Sequence, residues 1–520
     1  MPISQILTAT VIGLNAYKIT VEVDTNQSIP SMAIVGLPDV AISEAKERVR
    51  AAIKNSGYDF PNKKIIVNLA PADIRKEGSN YDLPIALGIL VQEGVIEQES
   101  INNMAFVGEL SLDGSIRGVK GVLPIVLGLK ELGVSEILVP KDNVKEAALI
   151  PDVKILGAEH LTEVVEHLNK NLPNHKPIPP VSVNVQDFLN NIQDDNFTFD
   201  FKDVKGQQKA KKALEIAAAG GHNVLMSGPP GSGKTLLSKC FASILPPLEI
   251  EEAIELTKIY SVSGLLDAKN PLITKRPFRL VHHTASAIGI IGGGSNPKPG
   301  EITLAHRGVL FLDEIVEFPR NVLEVLRQPL EDAEIVISRA QTRVKFPADF
   351  ILLAAMNPCP CGYLGDTEHK CTCNDFQISR YRAKLSGPLL DRIDIQIEVP
   401  KLRVNELLGH ENTGESSADI KKRVVKARKM QAERYRGLGI FTNSELTPKL
   451  VKKFCKLNEE SEMLLKAAIT RFNISGRAYD RLVKLARTIA DLEGSSEIQS
   501  AHIAQAIQYR SFIEETKVKI

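Results

Sequence analysis

The chain holds 520 residues, 43% hydrophobic and 24% charged, with a formal net charge of +1. That length exceeds what one hydrophobic core serves and calls for about three domains. No run of about 18 apolar residues occurs, which argues against a membrane-spanning helix. The balanced charge excludes a global field for nucleic acid and leaves that task to local basic patches.

The opening stretch, MPISQILTATVIGLNAYKITVEV, alternates like a pair of strands. It lacks a basic n-region with a cleavage site, so no signal peptide is expected and the protein is expected in the cytoplasm. Residues 1–172 mix β-type runs (Lys18–Val23, Lys64–Asn68, Glu136–Pro140) with helical stretches (Ala41–Ser56, Leu83–Gln92). Residues 173–196 are rich in Pro, Asn and Asp without a sustained apolar period and read as a linker. Residues 197–400 alternate strands with helices, the pattern of a parallel sheet covered on both faces. After Val399–Pro400 the strands stop, and residues 401–520 read as helices.

Asn223-Val-Leu-Met-Ser is a short apolar strand that runs into Gly228-Pro229-Pro230-Gly231-Ser232-Gly233-Lys234-Thr235, followed by an apolar helix pattern from Leu236. This is G-x-x-x-x-G-K-[ST] in its strand–loop–helix context. Glycines let the backbone turn N–H groups around a phosphate, and the helix N-terminus adds partial positive charge. Lys234 is expected to reach the β- and γ-phosphates of ATP, and Thr235 to offer a hydroxyl to Mg²⁺. The alternative is a Gly/Pro turn before a buried helix.

Gly308-Val-Leu-Phe-Leu is a second apolar strand, ending in Asp313-Glu314. Two acids there are expensive unless a cation or partner compensates. Asp313 is expected to hold Mg²⁺ and Glu314 to polarise the attacking water. A strand end where acids meet solvent is the plainer reading. The strand Phe350–Met356 ends at Asn357, which either orients that water or opens a turn before Pro358.

In this order the parts resemble the magnesium-chelatase-like branch of the AAA+ ATPases, the branch containing ComM and YifB. Asp203-Val-Lys-Gly-Gln207 resembles the box on the adenine side, and Asn357 falls at the sensor-1 position. Ser386-Gly-Pro-Leu-Leu-Asp-Arg-Ile-Asp394 looks like the arginine-finger segment, which makes Arg392 the finger; Ser475-Gly-Arg477 looks like sensor 2. The alternative for Arg392 is an ion pair with Asp391 or Asp394. The resemblance implies a homohexamer, because a finger from a neighbouring subunit completes each site.

Residues 277–307 look like the family's helix-2 insert and residues 335–349 like its pre-sensor hairpin. Such hairpins point into the ring channel, where Lys298, Arg339, Arg343 and Lys345 could grip DNA phosphates without reading sequence. A solvated edge hairpin with ordinary charges is the competing reading.

Cys359-Pro-Cys361 and Cys371-Thr-Cys373 are separated by nine residues. Four thiolates suit Zn²⁺, and a loop poor in apolar residues gains order from a metal. His369 in place of one thiol is an alternative ligand set; reduced thiols or a redox-sensitive pair are the metal-free readings. Cys240 and Cys455 look like buried core residues.

Residues 1–172 resemble the Lon-protease-like (ribosomal S5 domain 2-like) fold, shared by the repair protein RadA, through Pro71–Ala86, Gly108–Lys120 and Ile137–Lys141. In this alignment Asp82 takes the place of the serine nucleophile and Lys120 that of its lysine, so an ion pair replaces an activated hydroxyl and no peptidase activity is expected. Ser79 is out of register. Lys63, Lys64, Arg75, Arg117 and Lys120 are candidate nucleic-acid contacts beside a surface-decoration reading.

The fold expectation is therefore α/β: a Lon-like domain, an AAA+ core and a helical lid. The function expected from the resemblance is a ring-shaped DNA motor of ComM type, with a magnesium-chelatase-like subunit as the alternative.

Overall fold

The computed structural model describes residues 3–169, 175–190, 198–267, 269–294, 297–338, 343–366, 368–402, 414–472 and 475–510. They form two units. The first comprises Met1–Ile192 with Glu249–Thr274, and the second comprises Gln193–Leu248 with Lys275–Ile520.

In the first unit, β1 (Ser4–Ile12) and β2 (Asn15–Asn26) form an antiparallel hairpin. Their alternating apolar residues put Ile6, Ile19, Val21 and Val23 wholly inside, each burial contributing roughly 1.5–3 kcal/mol. The chain continues through β3 (Ser31–Val35), β4 (Lys64–Ala70) and β5 (Met104–Phe106). A small hairpin follows, β6 (Glu109–Leu110) with β7 (Ile116–Arg117). β8 (Glu136–Pro140), β9 (Lys154–Ala158) and β10 (Pro180–Val181) complete the sheet, whose order is β10-β9-β8-β5-β1-β2-β4-β3. The helix Asp82–Gln92 is apolar on nearly every side because it is buried on nearly every side.

Part of the segment read as linker is thus structured. Pro180–Val181 pairs antiparallel with β9, and Val185–Asn190 is helical. Proline is tolerated because β10 is an edge strand with no N–H needed on its outer side.

The second unit is built on five strands, β11 (Val224–Ser227), β12 (Phe278–Val281), β15 (Val309–Leu312), β18 (Ile351–Met356) and β19 (Ile395–Glu398). Two hairpins complete the numbering: β13 (Gly292–Gly293) with β14 (Lys298–Pro299), and β16 (Glu334–Ser338) with β17 (Arg343–Pro347). The five strands run in the order β12-β15-β18-β11-β19, every pairing parallel. β11, β15 and β18 are buried at every position, as a sheet covered on both faces requires.

The reading of 277–307 as insert needs correction at its start. Phe278–Val281 is a core strand, held parallel to β15, and the inserted hairpin is confined to 292–299. Four residues are too few for periodicity to separate insert from sheet. A second difference is that Glu249–Thr274, inside the span read as the AAA+ core, clusters with the first unit. There the Gly121 N–H donates to the Ser261 carbonyl, and the Ser261 hydroxyl donates to Glu146 at 2.5 Å.

Helices Ser417–Arg434, Pro448–Phe454, Glu459–Phe472, Gly476–Leu492 and Ser500–Gln508 close the second unit. On the first of these, Ile420, Val424 and Ala427 are buried at helical spacing, the apolar stripe of an amphipathic helix. Basic residues on that first helix do more than meet solvent: Arg423 pairs with Glu215, and Arg428 donates to the Ala218 carbonyl at the end of the helix Gln208–Gly220. No helix among the described residues is long and apolar enough to cross a membrane.

Candidate functional site

Neighbouring parallel strands end on the same edge of a sheet, so the loops after β11, β18 and β15 converge. Those loops carry Gly228–Thr235, Asn357 and Asp313–Glu314. A crevice at such an edge is where α/β sheets place ligands.

Gly228 must be glycine, since a Cβ there would lie 2.1 Å from the Val399 carbonyl oxygen. Gly233 has φ +92° and caps the helix Lys234–Phe241. The loop wraps the Lys234 ammonium, which donates to the carbonyls of Gly228 at 2.7 Å and Pro229 at 2.9 Å. Asn357 Oδ1 stands 3.5 Å from the same nitrogen. Burial lowers the Lys234 pKa, and Asp313 and Glu314 offset part of that shift. Pro230 lies against Gly362, and Gln207 donates to the Pro400 carbonyl at 2.6 Å.

The Thr235 hydroxyl donates to Asp313 Oδ2 at 2.9 Å, and the Glu314 N–H donates to Asp313 Oδ1 at 3.0 Å. Glu314 is exposed and sits at φ +51°, a left-handed conformation that costs a non-glycine residue of order 1 kcal/mol. His283 was not singled out from sequence, yet its Nδ1 lies 3.5 Å from Glu314 Oε2. Val281 pairs with Leu312, so the two chain ends leave the sheet side by side. A hydroxyl, a carboxylate and a second acid beside a caged ammonium can hold a divalent cation with a polyphosphate.

Arg392 and Arg477 are brought to each other. Both pair with Glu331, Arg477 at 3.2 Å. Among the described residues, neither side chain bonds Gly228–Thr235. Arg392 also donates to the Pro388 carbonyl at 2.7 Å. Neither acid proposed as its alternative partner pairs with it. Asp394 takes Arg481 at 2.7 Å, and Asp391 faces Arg510 at 3.9 Å. Asp394 is buried, which opposes ionisation, but Arg481 and then His222 outweigh burial and hold it well below the usual carboxylate range.

The sulfurs of Cys359, Cys361, Cys371 and Cys373 lie within 4.8 Å of one another. Three of the separations are 3.4, 3.7 and 3.6 Å. A tetrahedral zinc with bonds of about 2.3 Å sets its sulfurs about 3.8 Å apart, so the donor set fits. Backbone N–H groups of Tyr363 and Thr372 pull Cys361 down to about 5. A hydrogen bond from the Cys373 backbone opposes, but burial and then the sulfurs of Cys361 and Cys359 together push Cys371 up to about 12. His369 lies outside the group, with its ring stacked on Tyr363 at 4.9 Å. Burial raises Cys240 to about 12 and Cys455 to about 11, as for inert core thiols.

In the first unit the expected Asp82–Lys120 pair does not form. Arg48, on the adjacent helix Val40–Asn55, takes both Asp82 oxygens at 2.7 and 3.0 Å. Burial nonetheless pushes Asp82 up to about 6. Lys120 instead runs against Gly264. Ser79 donates to Glu109. Of the basic candidates, Lys63 pairs with Glu93 and Arg75 with Glu77, while Lys64 and Arg117 are exposed. On the hairpins, Lys298 and Arg343 are exposed, and Lys345 pairs with Glu334 at 2.9 Å. Arg339 lies outside the described residues.

Comparison with known proteins gives the family of the chain. Residues 200–407 match the family profile described as magnesium chelatase, subunit ChlI. Residues 21–143 match subunit ChlI of Mg-chelatase, and residues 414–510 match its C-terminal part. Competence protein ComM of Haemophilus influenzae is 43% identical over 96% of this chain and 96% of its own. The chain belongs to the ComM/YifB family. YifB of Escherichia coli is 42% identical over 98% of this chain and 97% of its own. Lon protease 2 of Bacillus subtilis is 30% identical over 31% of this chain and 33% of its own. The ComM/YifB family is a magnesium-chelatase-like group of AAA+ ATPases. The three profiles fall on the Lon-like region, the P-loop sheet and the C-terminal helices of this chain.

Within this ComM/YifB chain, sequence reading missed Glu331 and His283. Glu331 follows Pro329-Leu330 like any acid in a short helix, and His283 sits beside a second histidine, so neither carries a local signal.

Proposed function

We propose that this chain is an ATP-driven motor of ComM type that assembles as a hexameric ring in the cytoplasm. There it acts on single-stranded or branched DNA, promoting branch migration or strand handling as incoming DNA recombines. The observation that carries the ATPase part is the caged Lys234 beside the Thr235–Asp313 hydrogen bond. The DNA part is supported by 43% identity, along almost the whole chain, to a protein named for competence.

In this reading Gly228–Leu236 cradle the phosphates and Lys234 gives up its loop carbonyls for phosphate oxygens. Thr235 and Asp313 would hold Mg²⁺, which when bound neutralises charge on the transferring phosphoryl group. Glu314 orients water, with Asn357 beside it. Arg392 of one protomer serves the site of the next, a contribution worth roughly 10³–10⁵ in rate for arginine fingers. Arg477 accompanies it. The four clustered cysteines would hold a structural Zn²⁺ next to Asn357. Lys298, Arg339, Arg343 and Lys345 would meet DNA phosphates.

The rival reading is a chelatase-like subunit that drives metal insertion or remodels a partner protein, favoured by the three matching profiles. ATP turnover with single-stranded, duplex and branched DNA, beside assembly measured with nucleotide, separates the two. DNA should raise turnover of a nucleotide-dependent oligomer. Turnover indifferent to every DNA would defeat the motor reading.

A further inference from the structure

Glu331 lies in the short helix Pro329–Asp332, three residues before Glu334 opens β16. Its two oxygens are divided between two arginines from distant parts of the unit. Oε2 takes Arg392, from the turn after Gly387–Leu390, and Oε1 takes Arg477, from the helix Gly476–Leu492. Other acids are committed to the surrounding cations: Asp394 holds Arg481, and Glu324 holds Arg327. Arg392 is mostly buried, and its Nε has no hydrogen-bond partner among the described residues. Its fork is therefore gripped at the two Nη atoms, by Pro388 and Glu331, and unsaturated elsewhere.

Two guanidinium groups brought together repel each other. A carboxylate between them removes that repulsion and leaves the trio with a net positive charge, which still attracts an anion. A planar fork fixed by a carboxylate also loses less freedom when it meets a second oxyanion.

We propose that Glu331 is a positioning residue that holds Arg392 and Arg477 as one pair and presents both to the triphosphate bound by an adjacent protomer. This rests on the reading of Arg392 as a finger acting across a subunit boundary. Glu331 touches no reacting atom and acts only through the two arginines.

The test uses full-length Glu331→Ala, Glu331→Gln, Arg392→Ala and Lys234→Ala. For each, ATP turnover, KM for ATP and thermal unfolding are measured, alone and in mixtures. Glu331→Ala should cut kcat by about tenfold or more while KM stays within about threefold, because the loop around Lys234 is untouched. Mixing Glu331→Ala with Lys234→Ala should restore part of the turnover, since one variant keeps a whole phosphate loop and the other a whole arginine pair. Wild-type kcat in Glu331→Ala, or an inactive variant that Lys234→Ala cannot rescue, would overturn the proposal. If Glu331→Ala does not fold, Glu331→Gln decides. This isosteric change should lower kcat without moving the unfolding temperature, and an unchanged kcat counts against the proposal. Full activity in Arg392→Ala would instead remove the finger reading beneath it. An inactive Arg392→Ala beside an active Glu331→Ala rejects only the role of Glu331.

Discussion

The Thr235 hydroxyl rests on Asp313 Oδ2 at 2.9 Å, joining groups 78 residues apart in the chain. One lies on the first turn of a helix and the other at the end of a buried strand, and both are oxygen donors of the kind Mg²⁺ selects. Replacing Thr235 by Val should raise the Mg²⁺ concentration needed for half-maximal ATP turnover about tenfold or more, with little change in folding. Lys234→Ala should abolish turnover and nucleotide retention, which binding of a fluorescent ATP analogue would reveal.

His283 faces Glu314 at 3.5 Å. If Glu314 orients water, its side-chain direction matters and the neighbouring imidazole helps set it. His283→Ala should change kcat by about three- to tenfold while leaving KM for ATP nearly constant. A change confined to KM would place His283 in nucleotide binding instead.

Asp394 is buried against Arg481 and His222 and keeps its charge to an unusually low pH. Its folded pKa is depressed, so its contribution is fully present above the unfolded value of about 4 and is lost as pH falls through the folded value. Thermal stability should therefore fall, with a lower unfolding temperature, below about pH 4. Asp394→Ala should cost about 3–5 kcal/mol at neutral pH, because Arg481 is left without its buried partner, and should flatten the acid limb. An acid limb as steep as in the parent protein would rule this out.

The four-sulfur group should copurify with one zinc per chain, read by elemental analysis. Cys371→Ser should release it and lower the unfolding temperature by several degrees, roughly 2–4 °C per kcal/mol lost in a domain of this size. Cys240→Ser should leave the metal content unchanged.

Arg343 is exposed near the hairpin turn, while Lys345 is tied to Glu334. Arg343→Ala should weaken DNA binding about equally for all sequences and reduce the salt slope by about one. Lys345→Ala should do less, because its partner already neutralises it. Equal effects from both would argue against this hairpin geometry.

Much of the candidate site was legible because the chemistry proposed for it demands local sequence. A phosphate loop needs Gly228, Gly233, Lys234 and Thr235 at fixed spacing between a strand and a helix, and parallel strands buried on both faces need unbroken apolar runs such as Val309–Leu312. The cysteine spacing announced a four-sulfur group for the same reason. Short or displaced pieces were harder. Phe278–Val281 is too brief to show a period, and Pro180–Val181 sits where composition suggests a linker.

Pairings between distant side chains were outside the reach of sequence. Asp82 could have met Lys120, and nothing in the order of residues says that Arg48, one helix away, takes both its oxygens. Arg392 had two acids close in sequence, yet Glu331 holds it together with Arg477. Residue types and spacing pointed to the loop, the strand end and the cysteine group proposed here to bind a triphosphate, a divalent cation and a metal, because such chemistries are encoded within a loop or a strand end. Which acid neutralises which arginine was decided only by the tertiary structure, because an ion pair depends on distance in space and on burial, and the packing of helices and sheet sets both.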